Sequence, residues 1–97
     1  MRTKPAGGVA VHLPSAFDDV TGGRRRERLT GSTVGEVLAA LESRHPALRS
    51  LLRNEAGQLR PFVLVFLNSE DIRAGQGERT PVRDGDVLAI VPAVDGG

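Results

Sequence analysis

Cysteine is absent from the 97-residue chain. That excludes a disulfide, a thiolate metal site, a redox pair, and sulfur carried on a side-chain thiol. Tryptophan and tyrosine are also absent, leaving three phenylalanines as the only aromatic residues. With a formal net charge of +1, the chain has neither the stacking groups nor the field expected of a nucleic-acid binder. No apolar run is long enough to cross a bilayer. The first eight residues lack the apolar centre of a secretory signal, so a cytoplasmic location without a membrane partner is expected. Lysine is almost missing: Lys4 is the only one, and every other basic chain is arginine. The two histidines, His12 and His45, have no cysteine or acidic pair beside them. No catalytic residue and no metal site are therefore expected.

What is present fits one small domain of ordinary solubility, with 39% hydrophobic and 26% charged residues. Residues 1–8, with Pro5, Gly7 and Gly8, read as a flexible arm. Val9-Ala10-Val11-His12-Leu13 alternates, predicting a half-buried strand with Val9, Val11 and Leu13 inward. Pro14 ends it, and Phe17 plugs the core from the loop that follows. Gly22-Gly23 marks a turn. The charged run Arg24 to Leu29 suits an exposed edge strand that avoids pairing with other chains. Thr33 and Glu36 have the spacing of a capping box. Val34, Val37, Leu38 and Leu41 then form one helical stripe. His45-Pro46 breaks that helix. A second short helical turn, opened by Pro46, is expected to pack Leu48, Leu51 and Leu52 inward.

Asn54 to Gly57 reads as a loop, and Phe62 to Leu67 as a central strand, being apolar on both faces. Asn68 to Arg73 supplies a turn and a short strand, and Ala74 to Gly77 another loop. Asp84-Gly85-Asp86 turns into a last strand, Val87 to Val91. Pro92 to Gly97 is left as a flexible tail. The order strand, strand, helix, strand, short strand, strand predicts an α+β, β-grasp (ubiquitin-like) fold spanning 9–91. In it a mixed sheet has one main helix packed on one face.

Other motifs read as structure. Arg24-Arg25-Arg26 belongs to the solvated edge, Gly75 and Gly77 lack the strand–helix context of a dinucleotide loop, and Asp84 and Asp86 are turn residues. Two features point to function. One is the terminal Val94-Asp95-Gly96-Gly97. A Gly-Gly end is equally at home in an ordinary chain terminus. Here it follows a strand by a few residues, and without Cβ atoms its backbone can enter a narrow active site. The other is the bare sheet face. With Val63, Val65, Leu67, Leu88 and Ile90 toward the helix, Phe62, Leu64, Phe66, Val87, Ala89 and Val91 form an outward apolar patch for docking a partner. A register shifted by one residue would exchange the two sets. The inward valines of the first strand favour the register given.

From Val9 to Gly97 the sequence resembles the sulfur-carrier family that includes the ThiS, MoaD and CysO proteins. The resemblance is carried by Phe62-Val63 through Asn68-Ser69-Glu70-Asp71-Ile72-Arg73, by Asp84-Gly85-Asp86, and by Ile90-Val91-Pro92-Ala93-Val94-Asp95-Gly96-Gly97. The Asn-x-Glu-Asp-x-Arg run and the Pro-Ala-Val tail are most similar to the CysO type, carriers for cysteine biosynthesis. Asp95 departs from the small residue common at that place. The resemblance implies a protein cosubstrate, not an enzyme, with no bound cofactor. An E1-like adenylating and sulfurtransferase partner would use ATP and a sulfur source to convert the Gly97 carboxylate to a thiocarboxylate. Gly96 would give the slim approach, and the apolar patch would dock the activating enzyme. A second partner, cysteine-synthase-like, would accept the sulfur. Molybdopterin, thiamin or a thio-containing natural product are the other destinations. A ubiquitin-like modifier forming isopeptide bonds and a plain β-grasp interaction module are the competing readings.

Overall fold

The structure is a computed structural model that describes residues 7–92. The strands are β1 (Val9–His12), β2 (Arg26–Leu29), β3 (Val63–Leu67), β4 (Glu70–Asp71) and β5 (Val87–Pro92). The helices are α1 (Asp18–Thr21), α2 (Val34–Arg44) and α3 (Leu48–Leu52). All five strands share one sheet in the order β2-β1-β5-β3-β4. β1 runs parallel to β5, and the other neighbours are antiparallel. The helices cover one face, giving the β-grasp arrangement expected from the element order.

The core forms where the sequence periods coincide. Val9, Val11 and Leu13 are buried from β1 and its end, and Leu88 and Ile90 from β5. Val34, Val37, Leu38 and Leu41 of α2 are fully buried against them. Phe17 closes the core from the loop after β1, as anticipated. That loop also contains a 3-10 turn, Ser15–Phe17, and the short α1, neither of which has a sequence period long enough to read. Gly22 and Gly23 then turn the chain with φ of 67° and 82°.

The start of α2 is a variant of the expected capping box. The Glu36 amide donates to the Thr33 hydroxyl oxygen at 3.2 Å. The Glu36 carboxylate reaches one residue farther back than in the standard box, accepting from the Ser32 amide at 2.7 Å. Thr33→Ala is expected to cost about 1 kcal/mol. Thermal melting should register this as a Tm lower by roughly 4–8 °C.

Several boundaries differ from the sequence reading. β2 begins at Arg26: the Arg24 amide still closes the preceding turn onto the Thr21 carbonyl, and Arg25 gives only its carbonyl, to the Leu13 amide. His45 to Ala47 form a bend and turn, so α3 starts at Leu48 rather than Pro46. Leu51 does not pack inward: it is 39% exposed, while Leu48 and Leu52 are fully buried. One short helix presents one stripe, and the i, i+4 pair occupies it. β3 is interior, as expected, between β5 and the two-residue β4, and β5 occupies the middle of the sheet. β5 runs on to Pro92, which pairs with Val63. Pro92 thus joins the sheet at its end, where a lost donor is tolerated.

Gly8, expected in the N-terminal arm, is instead buried, with φ of 102°. A Cβ there would lie 2.7 Å from the Leu29 carbonyl oxygen, so only glycine fits. Its amide donates to Asp84 Oδ1 at 2.8 Å. The rest of the arm, residues 1–6, lies outside the described residues, as do residues 93–97.

Candidate functional site

Alternation on each strand sends every second side chain to the face that the helices leave bare. Val63 and Val65 are buried toward α2, and Leu67 packs partly against the same core. Leu64 and Phe66 therefore point the other way and are half-buried. On β5, Leu88 and Ile90 are buried, Val87 and Ala89 are half-buried on the opposite side, and Val91 is 41% exposed. The register preferred from the sequence holds, and the six residues expected in the patch have one exception. Phe62, 49% exposed, lies in the turn before β3, so strand alternation does not set its direction.

The pairing register aligns this face into rows. Val91 stands opposite Leu64. Ala89 stands between Phe66 on β3 and His12 on β1. His12 in turn pairs with Arg26, and Phe66 with Asp71. One row thus crosses all five strands: Arg26, His12, Ala89, Phe66, Asp71. In a second row, Arg28 pairs with Ala10 and Ala10 with Val87. An open groove lies between the rows, lined by His12, Phe66, Asn68, Ser69, Val87 and Ala89.

The rim of the groove is set by the Asn-x-Glu-Asp-x-Arg run. Asn68 and Ser69 take φ of 50° and 75°, the left-handed conformation of a tight hairpin turn. The cost to a non-glycine residue is offset by bonds across the rim. The Val87 amide donates to Asn68 Oδ1 at 2.9 Å, and the Asn68 side-chain amide donates to Asp86 Oδ1 at 3.0 Å. That bond, with one from the Arg83 amide, holds the Asp86 carboxyl below the usual carboxylate range. Asp71 is likewise held low by Arg73, whose guanidinium and backbone amide both donate to it. The start of the run is therefore a brace: Asn68 fixes the β3–β4 turn to the start of β5.

His12 is on the bare face, as read. His45 is not isolated: its Nε2 lies 2.7 Å from Glu27 Oε2. Glu27 is buried, although the charge of β2 predicts a solvated edge, and it also meets Arg24 and Arg44. The alternation of β2 turns this one acid toward α2, where its charge is compensated. Sequence reasoning missed this because the partners lie up to 18 residues away. Arg25 forms a two-bond fork with Asp18, lowering that carboxyl.

A second depression near α3 includes Arg49, Arg53 and Arg60. Arg49 and Arg53 are bound to Glu42, and Arg60 donates to the Ser50 carbonyl. Among the described residues there is no group of three His, Cys, Asp or Glu suited to a metal. No helix of the described residues is long and apolar enough to cross a membrane. Val94, Asp95, Gly96 and Gly97 lie outside the described residues. What the structure shows is that β5, in the middle of the sheet, leads toward them beside the apolar pair Val91 and Leu64.

Comparison with known proteins agrees with this geometry. The model of the ThiS family matches residues 11–97. The sulfur carrier protein CysO of Mycobacterium tuberculosis is 35% identical, over 92% of this chain and 98% of its own. A chain in the crystal structure of the Amycolatopsis orientalis BexX/CysO complex is 39% identical. It aligns over 93% of this chain and 100% of that one, with a TM-score of 0.84. The solution structure of the small archaeal modifier protein 1 from Methanosarcina acetivorans is 26% identical. The match covers 95% and 99% of the two chains, with a TM-score of 0.83.

Proposed function

The chain belongs to the ThiS family, and on that premise we propose that it is a sulfur carrier whose Gly97 carboxylate becomes a thiocarboxylate. The observation that carries this reading is the family match, which spans residues 11–97 and so includes Gly97. The near full-length similarity to CysO supports it.

The chemistry follows from the terminal group. A carboxylate is a poor electrophile. Attack on the α-phosphate of ATP releases pyrophosphate and gives an acyl adenylate, whose AMP is a good leaving group. A sulfur nucleophile then displaces AMP, leaving sulfur on the terminal carbonyl carbon. The transition states are charged and need prearranged donors, which an E1-like partner supplies. The carrier is a cosubstrate: it contributes the tail and the face that positions it. Val94 to Gly97 enter the partner's site, with Gly96 allowing close backbone approach. Leu64, Phe66, Val87, Ala89 and Val91, with Phe62 at the end of the patch, dock the partner. The CysO-like run from Asn68 to Arg73 and the Pro92-Ala93-Val94 tail favour cysteine biosynthesis in the cytoplasm, with a cysteine-synthase-like enzyme as acceptor.

The test is to incubate the purified chain with its activating enzyme, ATP and a sulfur source, then measure its intact mass. The expected result is a gain equal to exchanging one oxygen for sulfur, absent without ATP. An unchanged mass under these conditions rules the reading out. The similarity to the archaeal modifier supports one second reading, conjugation of the same activated carboxyl to lysines of other proteins. Peptides from cell lysate with this tail on a lysine would identify it.

A further inference from the structure

The bare sheet face is not uniform in charge. Arg26 and Arg28 of β2 are exposed. Their partners across the ladder are His12 and Ala10, so they stand on the same side as the apolar patch. The acid between them, Glu27, is buried on the other side, within reach of Arg24, Arg44 and His45. Among the described residues Arg26 and Arg28 have no ion pair, as is also true of Arg60, Arg79 and Arg83, but of these five only Arg26 and Arg28 stand on a strand of the bare face. At the far end of the row Asp71, the only strand carboxylate on this face among the described residues, is clamped by Arg73. Among the described residues the face therefore has an apolar centre, two cations without an ion pair along one side, and no free strand carboxylate to oppose them.

Two guanidiniums on one face of one strand stand about 7 Å apart along it and repel each other. Edge protection alone would require charge on β2. It would not require that both unpaired charges adjoin the apolar patch. Protein interfaces combine an apolar centre with a polar rim, and rim charges steer approach and fix orientation through opposite charges on the partner.

Resting on the sulfur-carrier reading, we propose that the surface of the activating enzyme that covers this face is apolar at its centre and carries carboxylates opposite Arg26 and Arg28. Guanidinium forks suit such paired carboxylates. This contact lies across β1 from β5, so it fixes the rotation of the sheet about the patch. That rotation determines where the strand delivers Gly97.

The experiment measures association of the full chain with its activating enzyme at low and high salt. It compares the wild type with R28E, R26E/R28E and R79E. Arg79 is exposed in a 3-10 turn that packs against α2, away from this face. R79E changes the net charge by the same amount as R28E. The expected result is an association rate lowered roughly tenfold by R28E at low salt and further by the double reversal. R79E should lie within twofold of wild type, and the salt dependence should flatten in the double variant. Circular dichroism melts should match throughout. Unchanged rates and salt dependence in R26E/R28E, with wild-type sulfur loading intact, overturn this inference alone. Absence of any loading or binding by the wild type overturns the carrier reading and this inference with it. A dimer in sedimentation that R28E abolishes also overturns it, by giving the face to a second copy of this chain.

Discussion

Deleting Gly97 is expected to abolish sulfur loading while leaving the fold intact. The distances make the effect large. Removing one residue draws the terminal carboxylate back by about 3.5 Å. Misplacing a reacting group by about 1 Å can already cost on the order of 100-fold in rate. The truncated chain still ends in a carboxylate on glycine, so chemistry is conserved and only reach is lost. Among the described residues every buried hydrophobic one lies between Val9 and Ile90. The melting temperature should therefore stay within about 1 °C, since a change distant from the core is worth only a few tenths of a kcal/mol. The checks are intact mass after incubation with ATP and sulfur source, and thermal melting of the same preparation. Loading of the truncated chain at the wild-type rate would mean that Gly97 is not the acceptor. An interaction module with an incidental tail would show that result in its own binding assay.

How far the sequence could be read depended on what each signal measures. β1 was legible because its alternation reports one buried face. α2 was legible because the Thr33–Glu36 spacing and the Val34, Val37, Leu38, Leu41 stripe agree on one element. β3 carries no period of its own, being apolar throughout. Its register came instead from consistency with β1 and is realised through β5, which pairs with both. The apolar patch was legible for the same reason, except at Phe62, where the chain has not yet entered the strand. Charge was read least well. Nothing local distinguishes Glu27, Glu42 or Arg53 from surface residues, yet all three are buried. Their partners come from other elements, and burial of a charge depends on those partners. In the same way, Arg24 to Arg28 looks like one basic run. Strand alternation sorts it into Arg26 and Arg28 on the bare face and Glu27 on the covered face.

The largest loss of stability from one of these charges is expected at Arg53. Arg53 is only 8% exposed and joins three parts of the chain. Its Nε donates to Glu42 Oε2 of α2 at 2.7 Å. Its Nη1 donates to the Gly57 carbonyl at 2.8 Å and to Glu78 Oε2 at 2.9 Å, and Nη2 donates to Glu78 Oε1 at 2.7 Å. The Glu78 fork, opposed by burial and helped by Glu42, holds the guanidinium even farther above its ordinary range, so it stays charged at any working pH. Arg53→Ala removes the cation and leaves the buried Glu42 with only Arg49, which is mostly exposed. Breaking a buried pair from one side costs about 3–5 kcal/mol, so Tm should fall by roughly 12 °C or more. Arg53→Lys should recover part of that loss, because one ammonium cannot reproduce the fork to Glu78 while also reaching Glu42. A double-mutant cycle with Glu42→Ala should give a coupling above about 1 kcal/mol. A total loss below about 1 kcal/mol would place Arg53 with exposed ion pairs instead. The cluster ties α2, α3 and the Glu78 turn on the covered side of the sheet. Folded Arg53→Ala should therefore load sulfur at the wild-type rate, which separates holding the fold from presenting the tail.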